Sequence, residues 1–376
     1  MAGNVTVTVP EDGGNVEVRR ADDPGDVRLA IRPDGQAPFF QWFSFVVEAA
    51  AGQPVRLVIE NASESSYVPG WHGYRAVASE DGEDWVRVDT AYEGGQLVIR
   101  HAASGTRCRY AYFAPYERSR YDALLDRVRG MPLARHDVLG RSLDGASIDR
   151  VTAGEGPLAA WVIARQHPGE TMGSWWIEGF LPRLLDEADE DARALRDAMT
   201  VHVVPMMNPD GARRGHLRTN AAGTDLNRAW AEPTAEASPE VLCVRDEMKR
   251  TGLDFFLDVH GDEAIANNFI AGAKGVPGWT DRLEGLEAAF EAALLAASDS
   301  FQTVEGYPVP APGQANLKIA TNWVCQRFDA LAMTLEMPFK DAKVAPDLRR
   351  GWSPERCAGL GRDCLTAMAR VAGRLR

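Results

Sequence analysis

The first part of the chain consists of short runs in which hydrophobic and polar residues alternate. Runs such as NVTVTV, VRLVIEN, LVIRHA and RCRYAYF are rich in Val, Ile, Tyr and Phe, and turn-forming stretches such as EDGG and SEDGED separate them. Alternation with period two over four to eight residues is typical of half-buried strands. About eight such strands within residues 1–115 predict an N-terminal β-sandwich domain.

The pattern changes near residue 116. Nearly continuous apolar runs (PLAAWVIARQ, TVHVVPMMN, LDFFLDVHG and DALAMTLEMPF) now alternate with helical segments such as YERSRYDALLDRVRG and DEADEDARALRDAM. Buried strands that alternate with helices are characteristic of α/β domains. Residues 116–376 are therefore predicted to form an α/β domain whose central sheet, mostly parallel or mixed, is flanked by helices.

Charge and cysteine content narrow the class of protein. The 376-residue chain has a net charge of −13, which argues against nucleic acid or an anionic membrane as its main partner. It has five cysteines without a CxxC pair, its first residues lack a signal-peptide pattern, and no apolar run approaches the ~18–20 residues of a membrane span. A cytoplasmic protein with reduced cysteines is expected.

Metal-binding residue types collect where the predicted strands end. His167 and Glu170 follow one strand, His260 lies in DVHGDE, and Glu336 lies in TLEMPF. Ligands of open α/β sheets bind beyond the carboxyl ends of the strands. Two histidines and a glutamate are a common ligand set for catalytic zinc, with a fourth position left open. Glu170 alone fits an ordinary helix start and His260 an ordinary buried histidine, but their combination favours a metal site.

The segment between residues 208 and 230 is rich in arginine. Arg213 and Arg214 are adjacent and fit a solvated loop, whereas Arg218 and the Asn227–Arg228 pair favour function. A guanidinium pairs bidentately with a carboxylate and can stabilise an oxyanion. Glu336 lies in an otherwise apolar strand, where a buried carboxylate either pairs with an arginine or acts as a base with a raised pKa.

Five short motifs occur in the order HPGE, NPDG, DLNR, DVHGD and TLEMPF. In this order they resemble the zinc metallocarboxypeptidases. The stretch LGRSLDG and the leading β-domain make the chain similar to the cytosolic carboxypeptidase branch of that family. The resemblance covers residues 115–340 by motif and the first 115 by architecture.

The resemblance implies a carboxypeptidase-like fold and one zinc ion per chain. It implies hydrolysis of the C-terminal peptide bond, or a branched isopeptide bond, of peptides and protein tails, with a preference for terminal glutamate. The implied roles are zinc binding by His167, Glu170 and His260, general-base catalysis by Glu336, oxyanion stabilisation by Arg218, binding of the terminal carboxylate by Asn227 and Arg228, contact with the substrate by a mobile Tyr307, and recognition of an acidic side chain by Lys318 and Arg327.

Two other functions remain open. Acyl-amino-acid deacylases of the aspartoacylase and succinylglutamate desuccinylase kind also have a His-x-x-Glu pair, a DLNR and a distant histidine, although NPDG and the leading β-domain favour the peptidase. A protein that only binds peptide tails would keep the fold without catalysis. The sequence is also compatible with a homo-oligomer.

Overall fold

The computed structural model describes residues 5–375, so Asn4, at the start of the predicted strand NVTVTV, lies outside the described residues. Its strands are β1 (Thr6–Thr8), β2 (Glu17–Arg20), β3 (Val27–Ala30), β4 (Ser44–Glu48), β5 (Val55–Ile59), β6 (Val77–Ser79), β7 (Val86–Arg87), β8 (Asp89–Glu93), β9 (Gln96–His101), β10 (Arg107–Ala111), β11 (Arg135–Arg141), β12 (Ser147–Ala153), β13 (Leu158–Ala164), β14 (Met199–Val204), β15 (Phe255–Asp262), β16 (Phe269–Gly272) and β17 (Leu331–Pro338). Its α-helices are α1 (Arg118–Arg129), α2 (Met172–Leu184), α3 (Glu190–Ala198), α4 (Pro209–Arg214), α5 (Pro239–Thr251), α6 (Asp281–Leu295), α7 (Ala320–Phe328) and α8 (Pro354–Ala372).

The N-terminal domain contains two five-stranded sheets. One has the strand order β1-β4-β10-β6-β7 and the other β2-β3-β5-β9-β8. Phe43 and Phe45 from the first sheet and Leu57 and Ile99 from the second belong to one buried cluster, as in a sandwich. The prediction of an N-terminal β-domain is confirmed, and the predicted boundary near residue 115 falls between β10 and α1.

The second domain is built on a seven-stranded sheet with the order β11-β12-β14-β13-β15-β17-β16. Its four central strands, β14-β13-β15-β17, are parallel, and β11, β12 and β16 are antiparallel to their neighbours. Apolar side chains of α2 and α8 belong to one buried cluster, and those of α5 and α7 belong to another. The predicted mixed sheet flanked by helices is confirmed. Because β13, β15 and β17 are adjacent and parallel, their carboxyl ends meet at one edge of the sheet.

The two domains pack together near the end of β17. The ring of Tyr112 stacks on that of Phe339 with centroids 4.4 Å apart. The buried guanidinium of Arg87 donates a hydrogen bond of 2.7 Å to the carbonyl oxygen of Phe339. The β-domain therefore fixes the chain immediately after the strand that carries Glu336.

Two further expectations concern the cysteines and the membrane. All five cysteines are free thiols in this structure. Within residues 5–375, none of the helices has the length and hydropathy that a bilayer crossing requires.

Candidate active site

Three predicted metal ligands converge at the end of the parallel strands. His167 Nδ1 lies 2.6 Å from Glu170 Oε1, His260 Nδ1 lies 2.8 Å from Glu170 Oε2, and the two Nδ1 atoms are 3.2 Å apart. All three side chains are buried, and one ligand atom from each lies within 4.8 Å of the others. This spacing suits three ligands around one metal ion.

The HPGE turn is held in place by Arg165, which directly follows β13. Arg165 has a φ of 64°, an uncommon conformation for a residue with a side chain. Its buried guanidinium donates to Pro168 O at 2.7 Å and to Ser174 Oγ at 2.8 Å. A Cβ on Gly169 would approach the carbonyl oxygen of Leu217 to 2.9 Å, so glycine permits the close contact with the arginine-rich segment.

The outer nitrogens of both imidazoles contact carboxylates. His167 Nε2 lies 3.1 Å from Asp225 Oδ1, and His260 Nε2 lies 2.9 Å from Asp258 Oδ2. A carboxylate only accepts hydrogen bonds, so an imidazole that binds a metal ion through Nδ1 would carry its ring proton on Nε2, where Asp225 or Asp258 accepts it. The two Nδ1 lone pairs and the Glu170 carboxylate then face one another. This electron-rich set of donors fits a His₂Glu zinc site with oriented histidines.

The surroundings of Glu170 favour its charged form. Burial raises its pKa, but His167 and His260 outweigh that effect and hold the pKa of the carboxyl well below its usual range. The backbone N–H of Gly261 also donates to Glu170 Oε2 at 3.1 Å. Glu170 is therefore an anion even though it is buried.

Glu336 lies beside His260 on the neighbouring parallel strand. Its Oε2 is buried and has no hydrogen-bond partner among the described residues, while its Oε1 lies 3.2 Å from the Tyr307 hydroxyl. Burial raises the pKa of Glu336 well above its usual range, His260 opposes this, and Asp262 adds to it. A carboxyl group with these properties is chemically suited to accept a proton at the end of β17.

The Tyr307 hydroxyl donates a hydrogen bond of 2.7 Å to Asp262 Oδ2. The side chain is 45% exposed and packs edge-on against Phe269, with ring centroids 4.9 Å apart. Tyr307 therefore lies at the mouth of the site and next to Glu336.

The arginine-rich segment supplies the cationic side of the site. Arg218 Nε donates to Asp225 Oδ2 at 2.8 Å, so Asp225 joins Arg218 to His167. Asn227 Oδ1 accepts from the backbone N–H of Ala320 at 2.9 Å, which ties the DLNR turn to the start of α7. The exposed Arg228 donates to Asn227 O at 2.8 Å.

These side chains line one cavity of about 710 Å³. The predicted residues in its wall are His167, Glu170, Arg218, Asn227, Arg228, His260, Tyr307 and Glu336. A cavity of this volume accommodates the end of a short peptide.

The structure does not bring Lys318 and Arg327 to this cavity. Both side chains are exposed, and neither is among the residues that line it. The Arg327 guanidinium lies over the ring of Phe328, 5.4 Å from its centroid. Lys318 lies in the turn before α7 and Arg327 lies on α7, and this cavity lends no support to their predicted role as cations of the terminal side-chain pocket. Lys274 is a lysine that does line the cavity.

NPDG has a structural position. Asn208 Oδ1 caps α4 by accepting from Gly211 N at 3.0 Å, and its amide nitrogen donates to Gln166 O at 3.0 Å. Asp210 accepts from Ser142 Oγ at 2.6 Å. The motif therefore braces the chain just before His167.

Asp225 and Asp258 were not singled out from the sequence, although both orient a candidate metal ligand. A signal for Asp258 existed, because residues two apart on a strand share a face and Asp258 precedes His260 by two. Asp34 and Tyr67 of the β-domain, which contact the Arg218 segment, gave no comparable signal.

Comparison with known proteins places the chain in a family. The zinc carboxypeptidase family model matches residues 135–352, more than half of the chain, and a model of the cytosolic carboxypeptidase N-terminal domain matches residues 7–113. The chain therefore belongs to the zinc carboxypeptidase family, and the resemblance to its cytosolic branch is confirmed. It is a zinc metallocarboxypeptidase, and enzymes of this family use one zinc ion.

Individual relatives agree with this assignment. A metallo-carboxypeptidase from Pseudomonas aeruginosa, solved with (2-guanidinoethylmercapto)succinic acid, is 46% identical with a TM-score of 0.96, covering 99% of this chain and 100% of that one. A metallo-carboxypeptidase from Burkholderia cenocepacia is 41% identical with a TM-score of 0.96, covering 98% and 99%. Cytosolic carboxypeptidase 6 of Mus musculus is 28% identical over 72% of this chain, which spans only 55% of that protein.

Proposed function

We propose that this enzyme removes the C-terminal residue of peptides or protein tails by hydrolysing a peptide or branched isopeptide bond. The observation that carries the proposal is the shared cavity, in which the three metal-type ligands and Glu336 lie together with Asn227 and Arg228. A carboxylate anchor beside a hydrolytic centre selects the last bond of a chain, because binding of the terminus fixes which carbonyl reaches the reacting groups.

In this proposal His167, Glu170 and His260 hold the zinc ion. When bound, zinc supplies Lewis-acid polarisation of the scissile carbonyl and lowers the pKa of water. Asp225 and Asp258 keep the two imidazoles oriented through their Nε2 atoms.

Glu336 takes the proton from the attacking water and returns it to the leaving amine. Its unpartnered Oε2 and raised pKa support this role. Tyr307, whose hydroxyl reaches Glu336 Oε1 at 3.2 Å, contacts the substrate from the mouth of the cavity.

Arg218 stabilises the negative charge that develops on the carbonyl oxygen. Asp225 holds the Arg218 guanidinium in place. Burial lowers the pKa of Arg218, but Asp225 and Tyr67 outweigh this effect and raise the pKa, so the guanidinium stays positively charged. Asn227 and Arg228 bind the terminal carboxylate, since an amide donor and a guanidinium suit a carboxylate.

The preference for a terminal glutamate is the finer part of the proposal. It rests on the resemblance to cytosolic carboxypeptidases, and Lys274 is the side chain offered for it in place of Lys318 and Arg327. The same cavity wall includes Glu287 and Glu291, and the ligand named for the Pseudomonas relative has both carboxylates and a guanidinium. Acidic and basic ends therefore both belong in the test.

The partner implied is the tail of a peptide or protein, and a cytoplasmic location is proposed from the names of the relatives.

The test uses peptides that differ only in the last residue (glutamate, lysine, leucine), each as free acid and as C-terminal amide. Release of the last residue from the acids only, loss of release with a chelator, and recovery with zinc are the expected results, read by mass spectrometry. Equal cleavage of the amides would contradict the carboxylate anchor, and activity that survives chelation would contradict the zinc centre.

N-acetyl and N-succinyl amino acids serve as parallel substrates. Release of acetate or succinate without peptide cleavage would favour the deacylase alternative. Peptide binding without turnover of either class would favour a tail-binding protein.

A further inference from the structure

The β-domain holds the backbone of the Arg218 segment through one buried carboxylate. Asp34 is fully buried in the loop after β3. Its oxygens accept from the backbone N–H groups of Leu217 at 2.6 Å, Arg218 at 2.6 Å and Thr219 at 2.9 Å. Three donors on one carboxylate fix the course of this loop.

The β-domain also contacts the Arg218 side chain. Arg218 Nη1 donates to the Tyr67 hydroxyl at 2.7 Å. The guanidinium carbon lies 5.6 Å from the ring centroid of Phe39 and 5.9 Å from that of Tyr67. Two aromatic rings of one domain therefore flank a cation contributed by the other.

Tyr67 is itself fixed in place. Gln41, fully buried, accepts from Tyr67 N at 2.8 Å and donates to Tyr67 O at 3.1 Å and to the Tyr112 hydroxyl at 3.0 Å. Tyr67 thus approaches the cavity from a rigid backbone, the arrangement that a preorganised site requires.

The Tyr67 hydroxyl has a hydrogen to donate. Its oxygen accepts from Arg218, and among residues 5–375 it donates to no acceptor. Burial raises the pKa of this hydroxyl, with Arg218 opposing, so the group stays protonated. A phenol whose oxygen already accepts from a guanidinium is polarised and becomes a stronger donor. Tyr67 lines the same cavity as Arg218, His167, Glu170 and Glu336.

We propose that Tyr67 is a catalytic residue supplied by the β-domain: its hydroxyl donates a hydrogen bond to the carbonyl oxygen of the scissile bond, next to the donor group of Arg218. The inference rests on the proposed peptidase function. It assigns the β-domain a direct part in the chemistry, with Asp34 and Gln41 as positioning residues.

The test compares Tyr67→Phe with Tyr92→Phe. Tyr67→Phe keeps the ring beside Arg218 and removes only the hydroxyl. Tyr92 is a half-buried tyrosine of the same domain, outside the cavity and packed edge-on against His72. For Tyr67→Phe we expect kcat to fall by roughly 10- to 100-fold with KM changed less than about twofold, because a donor to a developing oxyanion acts on the transition state.

Binding of a tetrahedral phosphinic peptide, followed by calorimetry, provides a readout other than turnover. It should weaken by a factor similar to the loss in kcat, with zinc content and melting temperature unchanged, while Tyr92→Phe matches wild type throughout. If the wild type cleaves peptides and Tyr67→Phe cleaves them equally fast, the role of Tyr67 is overturned while the proposed function stands. The same holds if kcat falls in Tyr67→Phe but the variant binds the phosphinic peptide as tightly as the wild type does. Absence of turnover in the wild type would instead count against the proposed function.

Discussion

The two domains reach the active-site cavity in different ways. The α/β domain presents His167, His260 and Glu336 at or just beyond the ends of adjacent parallel strands, whereas the β-domain contributes loop residues, Asp34 and Tyr67. The strand ends carry the metal-type ligands and the candidate base. The loops act on Arg218.

Asp225 connects these two sets of residues. One of its oxygens contacts His167 Nε2 and the other accepts from Arg218 Nε. Burial raises its pKa, but His167 and Arg218 outweigh this, so the pKa of Asp225 is held well below its usual range. Asp225 therefore links the metal-type site to the arginine that the β-domain holds in place.

The largest effect on turnover is expected from Glu336→Gln, a change at the end of a parallel strand. The amide keeps the shape of the side chain but cannot take a proton, so kcat should fall about 10³-fold, within the range for a lost general base. Zinc content and binding of a slowly cleaved peptide should be retained. If Glu336→Gln kept nearly wild-type activity, the general base would have to be another residue.

A second prediction separates the two aspartates that orient the histidines. Asp258→Asn should weaken zinc affinity about 10- to 100-fold, since the carboxylate behind a ligating imidazole sets its orientation and basicity. Competition with a chromophoric chelator measures this, with Asp246→Asn as control because Asp246 is exposed on α5 and pairs with Lys249 at 3.0 Å.

Asp225→Asn should reduce zinc affinity similarly and in addition lower kcat/KM when zinc is saturating, because Arg218 loses its partner. If the two variants behaved alike at saturating zinc, Asp225 would not link the metal-type site to Arg218.

The strand-end residues were predictable because parallel strands bring their carboxyl ends together whatever the sequence distance between them. His167, Glu170, His260 and Glu336 could thus be expected in one place. The edge strands β11 and β16, and β12 next to β11, were not predicted. β11 is largely exposed and rich in charge, and β16 has only four residues, so neither shows the apolar run on which strand prediction depends.

The contribution of the β-domain could not be predicted from local pattern. Asp34 and Arg218 are 184 residues apart, and their hydrogen bond depends on how two folded domains dock. The placement of Lys318 and Arg327 in the pocket also went beyond local pattern, because proximity in sequence to TLEMPF does not decide which side chains face a cavity.

Asp34→Asn tests the hydrogen bonds that the β-domain makes to the backbone of the Arg218 segment. The amide can present only one oxygen to the three N–H donors, and leaving buried donors unsatisfied costs about 1–3 kcal/mol. We expect a lower melting temperature and a moderate fall in kcat/KM, roughly tenfold, with zinc affinity unchanged. A stability loss without any change in kcat/KM would make Asp34 a purely structural residue.

The smallest effects are expected from the cations outside the cavity. Lys318→Ala and Arg327→Ala should change kcat/KM for every peptide in the panel by less than about twofold, since exposed side chains away from a site contribute little to it. Lys274→Ala is the matched comparison, because Lys274 lines the cavity and pairs with Glu284 at 2.6 Å. A selective loss for glutamate-ended peptides in Lys274→Ala alone would locate the acidic preference at Lys274, just after β16. An equal loss in Lys318→Ala would show that the terminal side chain reaches the turn before α7.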